Sequence, residues 1–341
     1  MVTTNFEQSS NLKVIKNMQL KTNDRSLDDP YLYLLEKVDF TPIFILGDHR
    51  SGTTILHQIL AATECFNFLR AAQIINYDRI LFDRLNGTEE QTRQDLNNLF
   101  QSLGIGERYI DKVTVAPDLP EEYGFILKNA GYDSHLTSES LFLFVRLCKK
   151  IQFLSHPEKP ILLKNPLCFP HFKTIKTFIP QAKFIFIHRH PLHVMSSKLK
   201  AVRLALSMKS SYLELISKEY GQIFNNPIRR LLVRILYSSF FGLGLHRVTE
   251  QSIRVTTAFL DNISSLSTAD YLSIKYDDLC IAPEETITKV LEFLGLEARA
   301  TIDYESWIAS RPLNLLPEVR KNYDDLCGKL ELYLTYYREQ I

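Results

Sequence analysis

The chain has no run approaching the ~18 consecutive apolar residues of a membrane span, so no transmembrane helix is expected. Its first segment, MVTTNFEQSSNLKVIKNMQLKTNDRS, lacks the apolar core of a signal peptide, which argues against secretion. Cysteine is sparse: five residues, an odd number, widely spaced and without a CxxC pair. That excludes a disulfide framework or a thiolate zinc site and fits reduced thiols in a cytoplasmic protein. Charge of one sign is also missing. Forty Lys and Arg stand against 39 Asp and Glu, without the basic excess of a nucleic-acid binder. Twelve Gly and 14 Pro in 341 residues are too few for collagen-like or low-complexity sequence. What remains, 45% hydrophobic and 23% charged, is the composition of a globular chain with a sizeable core.

Residues 1–37 are polar and weakly periodic and read as an N-terminal arm. Residues 38–341 read as a single domain with a helical insertion at about 200–265. Uninterrupted apolar runs mark buried strands at Pro42–Leu46, Ile161–Leu163 and Lys183–Ile187, with a weaker one at Tyr271–Tyr276. Helical patterns alternate with them. Ile55, Leu56, Ile59 and Leu60 share a face, and Ile287, Val290, Leu291 and Leu294 follow helical spacing between Pro283 and Gly295. Buried strands separated by helices imply an α/β fold of P-loop-like, three-layer type: a central parallel sheet flanked by helices.

The first strand runs into Gly47-Asp48-His49-Arg50-Ser51-Gly52-Thr53-Thr54. This has the Gly-x4-Gly spacing of a phosphate-binding loop, with Thr53 where the usual Lys would stand. Backbone N–H groups and a helix N-terminus still favour an anion, and Arg50 supplies a fixed cation. The missing Lys, and the lack of an apolar strand ending in a convincing Asp, argue for an anionic nucleotide handled by Arg and Lys without a catalytic metal. A second anion site is read at Arg189-His190-Pro191, where the Lys183–His188 run ends and a helix bearing Ser197 begins.

With these residues in view, the chain resembles the sulfotransferase superfamily, in its bacterial and Golgi-type branch. The signatures are Arg50-Ser51-Gly52-Thr53-Thr54, Arg189 with Pro191 and Ser197, Leu163-Lys164-Asn165-Pro166, and Tyr276-Asp277-Asp278-Leu279 followed by Phe293-Leu294-Gly295-Leu296. They occur in order over about residues 42–296. The resemblance implies transfer of a sulfuryl group from 3′-phosphoadenosine 5′-phosphosulfate (PAPS) to a hydroxyl acceptor, in line and without metal. It implies that Arg50, Ser51, Gly52, Thr53 and Thr54 hold the 5′-phosphosulfate and that Arg189 and Ser197 hold the 3′-phosphate. Three positions depart from the usual pattern: His49 where Pro often precedes the loop Arg, His190 where Asp or Asn often precedes the Pro, and Pro166 where the cytosolic branch has its catalytic His. Kinase or NTPase activity and nucleotide binding without catalysis are the competing readings of the same fold.

For catalysis the candidates are Arg50, Lys164 and Glu122. Lys164, at a strand end, is placed to reach the transferring group. Glu122, in Asp118-Leu119-Pro120-Glu121-Glu122, falls where the similar branch commonly has the Glu of a Pro-x-Glu motif, and is expected to act as base with a pKa raised by partial burial. The alternative is that Asp118, Glu121 and Glu122 cap a helix. His49, His57 and His171 rank below Glu122 as bases. The run Ile228–Phe241 packs apolar residues around Arg229, Arg230 and Arg234. A core helix with solvated or paired arginines is the favoured reading, against a lid or a contact with a lipid-like substrate or membrane surface. The acceptor is expected to be a small-molecule or lipid-like hydroxyl compound, with no nucleic-acid partner; oligomeric state is not legible.

Overall fold

Five parallel strands make one sheet in the order β2-β3-β1-β4-β5: β1 Pro42–Leu46, β2 Asn67–Phe68, β3 Ile161–Lys164, β4 Lys183–His188 and β5 Tyr271–Lys275. This computed structural model describes residues 26–108, 112–239, 242–308, 314–339 and 341. The expected arm therefore lies outside the described residues as far as 25, as do Phe240 and Phe241 of the arginine-bearing run. The helices used below are α1 Thr53–Ala62, α2 Gly124–Asn129, α3 Leu141–Phe153, α4 Pro191–Ser207, α5 Pro227–Leu236, α6 Leu243–Ile263, α7 Tyr276–Ile281 and α8 Pro283–Leu294.

The absence of polar residues from β1 follows from its place. Every residue of the strand is buried, because helices cover both faces of the sheet. Successive side chains point to opposite faces, and the sequence sorts them by shape. Phe44 and Leu46 join Phe184, Phe186 and Leu163 on one face, against Tyr123, Phe144, Phe172 and Phe259. Ile43 and Ile45 join Leu162, Ile185 and Ile187 on the other, against α1 and α8 through Leu56, Ile59, Leu60, Ile287 and Val290. The aromatic face is tied by ring contacts such as Phe44 on Phe184 and on Phe144, at 5.8 and 5.9 Å. Each such side chain contributes about 1.5–3 kcal/mol by leaving water.

The first described turn, Asp29–Leu35, is fastened to the body by a buried ion pair. Lys150 Nζ on α3 lies 2.7 Å from Asp28 Oδ2 and also donates to the Tyr77 carbonyl at 2.9 Å. α8 begins at Pro283 and stops at Gly295, whose φ of 68° is the left-handed C-cap expected there.

The region expected as an insertion is not uniform. α6 sends Val248 and Phe259 into the core, whereas α5 has no buried residue at all. The core-helix reading of the arginine-bearing run is thus corrected: the helix forms, but Ile228, Leu231, Leu232 and Ile235 face outward. Apolar spacing alone could not distinguish a face turned to the core from one turned away. Among the described residues, no helix is long and apolar enough to cross a membrane.

Candidate active site

All five strands run the same way, so their carboxyl ends share one edge of the sheet. β1 delivers the Gly47–Thr54 loop to this edge, β3 delivers Lys164 and β4 delivers Arg189. The loop turns sharply: Ser51 N–H donates to the Asp48 carbonyl at 2.9 Å, and Arg50 holds φ 80°. A non-glycine residue there costs ~1–2 kcal/mol. The conformation is braced by Arg189, whose Nη1 donates to the Arg50 carbonyl at 3.2 Å. Gly52 caps α1 at φ 108°, with the Tyr276 ring packed where a side chain would start. The free N–H groups of the first turn of α1 thus open at the loop.

The two segments expected to bind anions, far apart in the sequence, adjoin. Arg50 Nε donates to Ser197 Oγ at 3.2 Å, joining the loop to α4. Arg189 lies with its guanidinium 4.4 Å above the Tyr276 ring, a cation–π contact that fixes its plane. Its Nε is buried with no hydrogen-bond partner among the described residues, as is Ser51 Oγ. Asp48, in the same loop, is neutralised by Lys198 Nζ at 2.6 Å from Oδ1.

The paired carboxylates divide. Glu121 is buried, 2.6 Å from Arg108 Nη1, and accepts from the Tyr212 hydroxyl at 2.7 Å. Glu122 faces the cleft, with Oε1 3.0 Å from Lys164 Nζ, and Lys164 also donates to Thr54 Oγ1 at 3.1 Å. Asp118 pairs with Arg93 and Arg70. None of the three caps α2, whose N-cap is Tyr123 without a side-chain bond. The expected rise in the Glu122 pKa is also corrected. Burial is the largest single influence and pushes it up, but the Lys164 charge and hydrogen bond, with the His49 and Arg108 charges, together outweigh burial and hold the carboxyl below the ordinary glutamate value. Glu122 is therefore a carboxylate at neutral pH.

His49 is exposed to the cleft, with protein crowded around it. The shortage of bulk water, then the Arg50 charge, lower its pKa to about 4, so the imidazole is neutral. His57 is buried within α1, and His171 stacks on His135 at 4.1 Å; neither lines the cleft.

The cleft, about 1370 Å³, is lined by His49, Arg50, Thr53, Thr54, Arg189, Ser197 and Glu122. One end is apolar, with Val113, Phe125, Leu204, Ala205, Met208 and Leu213; the other carries Tyr276, Cys280, Ile281 and Trp307. Sequence reasoning did not single out Lys198, Asp48 or Trp307, and placed Tyr276 in a signature without a role in the site. The register between β1 and β5 across β4 was the available signal for Tyr276.

A parallel α/β sheet with a glycine-bounded loop between its first strand and a helix, a second arginine at the adjacent strand end and no P-loop lysine defines the class of P-loop-like α/β proteins. The chain belongs to the sulfotransferase family, whose model matches residues 42–300. Among curated proteins it is similar to omega-hydroxy-beta-dihydromenaquinone-9 sulfotransferase Stf3 of Mycobacterium bovis and of Mycobacterium tuberculosis. Identity to each is 28% over 179 residues, covering 46% of this chain and 44% of the relative. The match thus spans less than half the length of these relatives. Among solved structures, sulfotransferase STF9 from Mycobacterium avium superposes with a TM-score of 0.59 at 16% identity, over 96% of this chain and 85% of that one. Sulfotransferase STF1 from Mycobacterium tuberculosis H37Rv gives 0.53 at 15% identity, over 92% and 80%. At these identities the likeness shows the fold, and the fold is the α/β architecture expected from the sequence.

Proposed function

We propose that this chain transfers a sulfuryl group from PAPS to the hydroxyl of a small-molecule or lipid-like acceptor. The observation that carries the reading is the convergence of Arg50, Ser197 and Arg189 with the Lys164–Glu122 pair around one cleft. The residues present fit an anionic donor: Arg189 Nε and Ser51 Oγ are buried donors without partners among the described residues, and α1 opens its N-terminus to the loop. Arg50, Ser51, Gly52, Thr53 and Thr54 would hold the 5′-phosphosulfate, and Arg189 and Ser197 the 3′-phosphate. Trp307, exposed at the same end of the cleft as Tyr276, offers a face to the base.

When bound, the donor supplies an activated sulfuryl group and a leaving phosphate. The protein's part is positioning and charge stabilisation. Lys164 and Arg50 offset negative charge that grows on the leaving phosphate as its S–O bond breaks. Glu122, already ionised, accepts the acceptor's proton as the new O–S bond forms. The bisphosphate nucleotide leaves with the charge the phosphate gained. The Stf3 relatives are named for a hydroxylated menaquinone derivative, which supports an acceptor with a large apolar part, as does the apolar end of the cleft.

Titration calorimetry with adenosine 3′,5′-bisphosphate and with ATP tests the donor. The bisphosphate should bind more tightly, and Arg189→Ala should weaken it at least tenfold. Preference for ATP with magnesium would favour a kinase instead. For the base, Glu122→Gln should lower turnover more than tenfold, a barrier increase above about 1.4 kcal/mol; a smaller effect removes Glu122 from the role.

A further inference from the structure

α5 is a short helix with two unlike sides. Its outward side carries Ile228, Leu231, Leu232 and Ile235, exposed by 72, 57, 62 and 44%. These occupy positions i, i+3, i+4 and i+7, so they form one stripe along the helix. On a helical wheel Arg229 and Arg234 flank the stripe on either side, and both are exposed. Arg230, on the opposite side, turns inward over the Phe224 ring at 4.7 Å. The helix start is fixed locally: Asn226 caps it by accepting from Arg229 N–H at 2.9 Å, and Pro227 occupies its first position. The element is therefore well specified, although nothing among the described residues covers its apolar stripe.

Charge narrows what could cover it. Residues 220–249 contain no Asp or Glu but include Arg229, Arg230, Arg234 and Arg247. An apolar stripe bordered by arginines, in a segment free of acidic residues, has the chemistry of a helix lying in the interface of an anionic bilayer. There the stripe enters the acyl boundary while the guanidinium groups reach lipid phosphates. The placement also suits the cleft. α5 packs on α4, Arg203 of α4 donates to the Tyr237 carbonyl just past α5 at 2.8 Å, and the same end of α4 contributes Leu204, Ala205 and Met208 to the apolar end of the cleft.

We infer that α5 docks the protein on an anionic phospholipid surface through Ile228, Leu231, Leu232 and Ile235, with Arg229 and Arg234 contacting lipid phosphates. The apolar end of the cleft then opens near that surface. Docking by α5 does not depend on the nucleotide reading of the site.

The test is co-sedimentation of the full chain with vesicles of mixed phosphatidylglycerol and phosphatidylcholine, and with vesicles of phosphatidylcholine alone. The protein should sediment with the anionic vesicles and be released as salt rises. Arg229→Gln with Arg234→Gln should weaken binding by about fivefold per arginine. Leu231→Ser with Leu232→Ser should weaken it at least tenfold. These side chains face outward, so both variants should bind adenosine 3′,5′-bisphosphate as the wild type does, which checks their folding. Wild-type protein left in the supernatant at low salt overturns the proposal, as do variants that sediment like the wild type. A wild-type dimer that Leu231→Ser with Leu232→Ser converts to a monomer, without vesicle binding, assigns the face to a second copy and also overturns it. Vesicle binding without bisphosphate binding would sink the proposed function and leave this inference standing.

Discussion

Gly52 connects the stability of the fold to the readiness of the site, and its replacement can be worked through from geometry. At φ 108° an added Cβ would lie 2.2 Å from Tyr276 Cδ2, 2.8 Å from Cε2 and 3.3 Å from Ile187 Cδ1. Gly52→Ala thus meets two separable penalties. The backbone conformation costs an L-residue ~1–2 kcal/mol, and forcing a methyl against a packed ring costs ~1–3 kcal/mol. Together they give a destabilisation of roughly 2–5 kcal/mol in urea unfolding. The ring has little freedom to yield, because Arg189 lies over it at 4.4 Å. Any shift of Tyr276 would displace the guanidinium, so bisphosphate binding should weaken along with stability.

A double-mutant cycle with Tyr276→Ala separates the penalties. Removing the ring leaves the backbone strain and abolishes the clash, so Gly52→Ala should cost ~1–3 kcal/mol less in that background. Gly87→Ala is the control. Gly87 has φ 69° but open space around its missing Cβ, so it should show the backbone penalty alone. Unfolding and calorimetry of the single and double variants decide the matter. The reasoning is refuted if Gly52→Ala lies within about 0.5 kcal/mol of wild type, or if its cost is the same with and without the Tyr276 ring.

Three further outcomes follow from buried charge. Lys164→Met should move the Glu122 titration, followed by carboxyl NMR, upward, because the largest of the charges opposing burial is then gone; no upward shift refutes the electrostatic account. His188 is fully buried, faces the Tyr333 hydroxyl at 2.8 Å, and has its pKa lowered by burial to about 3. The native state therefore binds fewer protons than the unfolded chain between that value and ~6.5, and stability should fall by ~2 kcal/mol between pH 6.5 and 5. His188→Gln should remove that part of the slope in urea unfolding, and an unchanged slope would refute the assignment. Asp28→Asn strands Lys150 in a buried site and should cost about 3–5 kcal/mol, while the double variant Asp28→Leu with Lys150→Met should recover most of it in the same assay.

Features set by local chain chemistry were legible in the sequence. Pro42–Leu46 announces a buried strand because it offers no polar face. The glycines of the following loop and the arginine–proline start of α4 mark the two strand-to-helix turns. Features set by long-range contact were not. The sign of the Glu122 shift depends on Lys164, which arrives from β3. Glu121 and Glu122 look equivalent as neighbours, yet they point opposite ways, one to Arg108 and one to the cleft. Lys198 gave no signal of its own, because its value lies in cancelling Asp48 across the loop.

The meeting of Arg50 with Arg189 and Ser197 lies between these cases, since sheet topology supplies the missing step. β1 sits between β3 and β4, and Leu46 pairs with Phe186. Continuing that register sets Gly47 beside Ile187, and the close approach of the Ile187 carbonyl to Gly47 leaves no room there for a Cβ. β4 runs two residues past the level of Leu46, to His188, while the loop after β1 climbs beside it. The loop arginine and the β4 arginine must emerge side by side, with Lys164 from β3 on the opposite flank. Two motifs far apart in sequence thus become one site through strand order, and a change in that order would separate them even if every motif residue were kept.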